Sequence, residues 1–109
     1  MAKNFKAKEY LGKKIQLTGY MRSQDVTHWA GFWLRVDDST GHKQKILSFD
    51  NMNDRAVKGT TNWTKYTIVL NVPQNATDVV YGALLNGKGQ IWFEEPKIEV
   101  VGKAVPTTN

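Results

Sequence analysis

Apolar residues in this chain recur every second position and almost never at helical spacing. Ile15, Leu17, Gly19 and Met21 alternate with Gln16, Thr18, Tyr20 and Arg22. Phe32, Leu34 and Val36 alternate with Trp33, Arg35 and Asp37, and Tyr66, Ile68, Leu70 and Val72 with Lys65, Thr67, Val69 and Asn71. A period of two describes a strand with one face in a core and one toward water. Shorter strand candidates are 45–49, 79–85, 90–94 and 97–101, and the segment 4–8 adds one more. Turn residues separate them: Asp38-Ser39-Thr40-Gly41, Lys58-Gly59-Thr60-Thr61-Asn62, Pro73-Gln74-Asn75-Ala76 and Asn86-Gly87-Lys88-Gly89. The last is a hairpin signal, because Asn and Gly tolerate positive φ. Only 6–11 and 51–57 have room for a helical turn.

About seven short strands without intervening helices predict an all-β, antiparallel two-sheet β-sandwich. A jelly roll suits the long connection 50–62 better than a small closed barrel does. With 109 residues the chain makes one domain. Residues 1–14 read as a basic leader with an edge strand, and 104–109 as a flexible tail.

Composition narrows the function. There is no Cys, which excludes a disulfide scaffold, a Cys-ligated zinc site and a thiol nucleophile. No apolar run is long enough for a membrane span, and no signal peptide is evident, so the expected location is cytoplasmic. The net charge is +5, yet five lysines against one glutamate fall within the first fourteen residues. The remainder is nearly neutral, with ten basic and nine acidic groups. Nucleic acid is therefore a poor partner for this domain, and the leader reads as a solvated segment that keeps an edge strand from pairing.

Several runs, in order, carry a family resemblance: Trp29-Ala30-Gly31-Phe32-Trp33-Leu34-Arg35-Val36-Asp37, then Phe49-Asp50-Asn51-Met52-Asn53-Asp54-Arg55, then 58–66, then Gly82 to Phe93 with its Gly87-Lys88-Gly89-Gln90-Ile91-Trp92-Phe93 ending. The chain resembles, over about 5–109, a domain that follows the DNA-binding part of some bacterial AraC-type transcriptional regulators. It is also similar, at fold level, to galactose-binding-like and carbohydrate-binding-module sandwiches. The resemblance implies a sensor-like part without its own helix-turn-helix. Related domains have further strands upstream of the segment matching 5–10. A sandwich lacking its first strands leaves an open edge, which implies a homodimer. Where related sandwiches read Asp-Asp and hold calcium, this chain reads Glu94-Glu95-Pro96, so no metal or other cofactor is expected.

By strand parity Tyr20, Trp33, Arg35 and Trp92 fall on polar faces. An indole stacks on the CH face of a pyranose, and Arg and Asn bond its hydroxyls. The expected ligand-binding set is Tyr20, Trp33, Arg35, Asp50, Asn51 and Trp92. The competing reading covers the indoles with the 50–62 connection. Asp50-Asn51-Met52-Asn53-Asp54-Arg55 is oxygen-rich, but Met52 breaks any EF-hand spacing. Its simpler role is a loop in which Asp50 or Asp54 pairs with Arg55 or Arg35. Trp63 reads as core or sheet-end packing. Trp29 reads as a loop residue, either a partner anchor or a plug at the end of the sandwich. His28 and His42 are too scattered for a metal or base. Glu94 and Glu95 point to opposite faces and cannot form a glycosidase pair together. No catalytic triad or phosphate loop is visible. The sequence therefore suggests a non-enzymatic ligand-binding module for a carbohydrate or other small molecule. An assembly domain is the alternative, and a single-strand nucleic-acid binder ranks last.

Overall fold

A computed structural model describes residues 2–41 and 43–109; His42 lies outside the described residues. Seven strands form one antiparallel sheet: β1 (Ala2–Lys6), β2 (Lys14–Asp38), β3 (Lys45–Asp50), β4 (Val57–Asn71), β5 (Asp78–Asn86), β6 (Gln90–Phe93) and β7 (Lys97–Val101). A 3-10 turn at Lys8–Tyr10 supplies the short helical turn expected between 6 and 11. The segment after Asp50 forms turns instead of a helix.

The first two strong alternating runs belong to one strand. β2 is 25 residues long and organises the whole sheet. Along one edge it pairs with β7, β6 and β5 in turn, from Lys14↔Val101 through Met21↔Phe93 to Asp37↔Asp78. Along the other edge it pairs with β4 from Lys14↔Asn71 to Ala30↔Val57, then with β3 from Leu34↔Asp50. The expected β5–β6 hairpin is thus a turn in a path that stays beside β2. β1 lies outside β5, with Ala2↔Gly82 and Lys6↔Asp78.

A single sheet makes a core by folding over. Ile15, Leu17, Gly19, Met21 and Ser23 are buried at odd positions; Val26, Ala30, Phe32, Leu34 and Val36 are buried at even ones. The parity changes at Asp25, a non-glycine residue at φ 55. At the same level β4 has Gly59 at φ 65, and the β5–β6 turn has Gly87 at φ 88 and Gly89 at φ 121. Positive φ suits glycine and bends a pleated strand sharply. A Cβ on Gly89 would sit 2.6 Å from the Asp25 carbonyl oxygen, so the turn rests directly on the β2 bend. Thr27 fastens it: its N–H donates to the Lys88 carbonyl at 2.9 Å, and its hydroxyl accepts from the Lys88 N–H at 2.8 Å.

The fold line brings the two ends of β2 face to face. A Cβ on Gly19 would lie 2.6 Å from the Phe32 ring, and Phe93 meets that ring edge-on with centroids 6.0 Å apart. Ile68, Leu70, Val79 and Met52 also belong to the core. This single folded sheet stands where two separate hydrogen-bonded sheets of a jelly roll were expected. The tail is held at Thr108, whose N–H donates to the Val69 carbonyl at 3.0 Å.

Candidate functional site

Folding the sheet separates the six candidate residues. Tyr20 and Trp92 stand on the outer face of the first half of β2. There the Arg22 guanidinium lies 4.1 Å from the Trp92 ring centroid, and Tyr20 is exposed. Trp33 and Arg35 stand on the outer face of the second half, with the Arg35 guanidinium 5.8 Å from the Trp33 ring centroid. Core residues fill the space between these faces, so one surface carrying Tyr20, Trp33, Arg35 and Trp92 together does not form.

Asp50 and Asn51 serve the loop between β3 and β4. Asp50 sits at the end of β3 and is 6% exposed. It accepts from Arg55 Nη2 at 2.7 Å, from the Met52 N–H at 2.9 Å and from the Thr108 hydroxyl. Burial alone would raise its pKa, but the bonds from Arg55, Thr108 and the Met52 N–H outweigh it and hold the carboxyl below the usual carboxylate range. Arg55 also reaches Asp54 at 2.6 Å. This is the loop pairing that the alternation of acids with Arg55 suggests. Asn51 Oδ1 accepts from the Asn53 N–H at 3.1 Å. Both residues border a separate 300 Å³ depression with Thr108 and Asn109. The same loop fills a gap in the sheet: the Phe32 N–H, between the stretches where β3 and β4 pair, donates to Met52 Sδ at 3.3 Å.

Two further expectations change. Trp63 is 49% exposed, because it stands in a register shift of β4 where Met21↔Thr64 gives way to Ser23↔Thr61. Trp29 lies within β2 and pairs with Asn86, so it is not in a loop. Glu95 is bound to Lys3 at 2.8 Å and to the Tyr81 hydroxyl at 3.0 Å, a clip between β1, β5 and the segment before β7.

Beside Arg35 lies a 440 Å³ cavity on the outer face of β1, β5 and β2; Trp33 does not line it but stands next to Arg35. Its lining includes Lys3 and Asn4 from β1, Asp78 and Val80 from β5, Arg35 and Asp37 from β2, and Gln44. That volume is within the range of small-molecule sites. Asp37 is 1% exposed. Arg35 Nε donates to its Oδ2 at 3.0 Å, and Gln44 Nε2 donates to the same oxygen. Among the described residues, Asp37 Oδ1 accepts no hydrogen bond, although it lies 3.0 Å from Arg35 Nε. Sequence parity places Asp37 on the polar side of its strand, beside Arg35. Its bond from Gln44, in the segment before β3, is one that no local pattern announces.

The comparisons place the chain beside a transcriptional regulator. No family model matches it. It is 42% identical over all 109 residues to an uncharacterized HTH-type transcriptional regulator, YbfP, of Bacillus subtilis (strain 168). The chain spans 36% of that protein's length. The described residues contain no α-helix, so they hold no counterpart of the helix-turn-helix in the relative's name. No helix among them is long and apolar enough to cross a membrane. The chain is thus an all-β domain similar throughout to about a third of a bacterial HTH-type regulator.

Proposed function

We propose that the domain is a non-enzymatic, sensor-like module of a cytoplasmic transcriptional regulator, binding a carbohydrate or similar small molecule on the outer face of Trp33 and Arg35. The observation that carries this reading is the 440 Å³ cavity lined by Arg35, whose guanidinium lies 5.8 Å from the ring centroid of the partly buried Trp33. A pyranose stacks its CH face on Trp33, and the Arg35 Nη groups donate to its hydroxyls. Titrating indole fluorescence with mono- and oligosaccharides tests it. The expected result is a saturable shift that weakens at least about tenfold, roughly 1.4 kcal/mol, in Trp33→Ala and persists in Trp92→Ala. Loss in Trp92→Ala alone would move the site to the opposite face.

A second reading rests on β1. Among the described residues it pairs with β5 alone, and its other edge is unpaired. An open edge offers a row of unpaired N–H and C=O groups to a second copy. Sedimentation across a concentration series distinguishes the two: a dimer that Asn4→Pro abolishes supports assembly through β1, and a monomer at every concentration rejects it.

A further inference from the structure

We infer that Asp37 is the specificity-determining residue of the cavity lined by Arg35 and that it selects a neutral, hydroxyl-bearing ligand over an acidic one. The inference rests on the ligand-binding reading above. Asp37 is a carboxylate with almost no exposure, and one of its oxygens receives no hydrogen bond among the described residues. Although Arg35 Nε lies 3.0 Å away, an acceptor without a hydrogen bond costs free energy when buried. The cavity wall is where that cost is recovered.

The cover over this carboxylate is light. Gln44 is an exposed side chain just before β3, and its amide is tied to Asp37 by the bond to Oδ2. On this proposal a ligand hydroxyl displaces the Gln44 amide from Oδ2 while Arg35 Nε continues to hold the carboxylate. Arg35 is then fixed at Nε, and its terminal nitrogens take no partner among the described residues. An acceptor oxygen and a donor fork thus stand side by side next to an indole.

A hydroxyl both donates and accepts, so two neighbouring hydroxyls of a sugar satisfy Asp37 and Arg35 together. A carboxylate ligand only accepts; it answers Arg35 but meets Asp37 with like charge. Asp78, a second carboxylate on the wall, is bridged by Lys6 at 3.3 Å and accepts from the Thr77 hydroxyl, so the bias rests on Asp37. Lys3 does not offset it, because its ammonium is paired with Glu95. Asn4 contributes an amide able to bond a further hydroxyl.

The test is calorimetric titration of the intact domain with neutral hexoses and with the corresponding uronic acids. The expected result is binding of a neutral hexose at least about tenfold tighter than its uronate. Asp37→Asn, with its fold checked by circular dichroism, should weaken the hexose about tenfold and narrow the preference. Gln44→Ala alters only an exposed side chain and should tighten the hexose severalfold, because a competing bond is gone. Preference for the uronate, or hexose affinity unchanged in Asp37→Asn or Gln44→Ala, would overturn the role of Asp37 and leave the ligand-binding reading in place. Absence of binding by either class would remove both.

Discussion

Phe32→Ala should cost about 3–5 kcal/mol of stability, the range for removing a fully buried aromatic side chain. Phe32 is 0% exposed and is the side chain on which the two halves of the sheet close. Across from it stands Gly19, which has no side chain to move into the space. The void should therefore remain open. Urea denaturation gives the loss directly, as a lower midpoint with little change in slope. The pair also makes a diagnostic cycle. Gly19→Ala alone should destabilise the domain, because its Cβ would lie 2.6 Å from the Phe32 ring. In the Phe32→Ala background the same methyl enters the void and should be neutral or favourable. Such coupling is expected of residues in direct contact. Simple additivity would show that the two ends of β2 do not meet at this point.

The second large effect belongs to Arg55. Arg55→Ala leaves the Asp50 carboxylate buried without its cation, although the Thr108 hydroxyl and the Met52 N–H still reach it. Removing one partner of a buried pair costs about 3–5 kcal/mol. Partial exposure of Arg55 puts this case near the lower end, at about 3 kcal/mol. The pH dependence has a definite sign. The folded Asp50 pKa is depressed, so its contribution is present above the unfolded carboxylate value of about 3.9. It is lost as the pH falls through the lower folded value. The gap in stability between wild type and Arg55→Ala should accordingly be widest at neutral pH and shrink in acid. A gap independent of pH would mean that Arg55 acts through packing alone.

The strands were legible because their apolar residues alternate. The segment 97–101 coincides with β7, and 45–49 and 79–85 fall one residue short of β3 and β5 at one or both ends. The continuity of β2 was not legible. Between Ser23 and Ala30 the alternation lapses and resumes with the other parity, which in a sequence looks like the end of one strand and the start of another. The cause is Asp25, whose positive φ is a property of the folded chain and not of aspartate as a residue type. That bend also redistributed the candidate site. Parity distinguishes inside from outside, but it carries no information on which of two outward faces a residue joins. Tyr20 and Trp33 were therefore indistinguishable until the fold line was known. Asp50 illustrates a different limit: its acceptor role depends on Thr108, far away in sequence, whereas Arg55, nearby, was foreseeable.

The dependence of nearly every strand on β2 governs how this domain must fold. Among the described strands only β1 finds its partner elsewhere. Neither half is a self-sufficient unit, because each borrows a stretch of the same strand and buries its apolar face against the other. The pairing Lys14↔Val101 joins opposite ends of the chain, and Lys14↔Asn71 is also remote. Loops of that size must close before the contacts that reward them exist, which places the domain among slow-folding topologies. Synthesis from the N-terminus completes β2 long before β5, β6 and β7 emerge. During that interval β2 is a long, half-apolar strand with an unclaimed edge, so the growing chain passes through its most aggregation-prone state just before its last strands arrive.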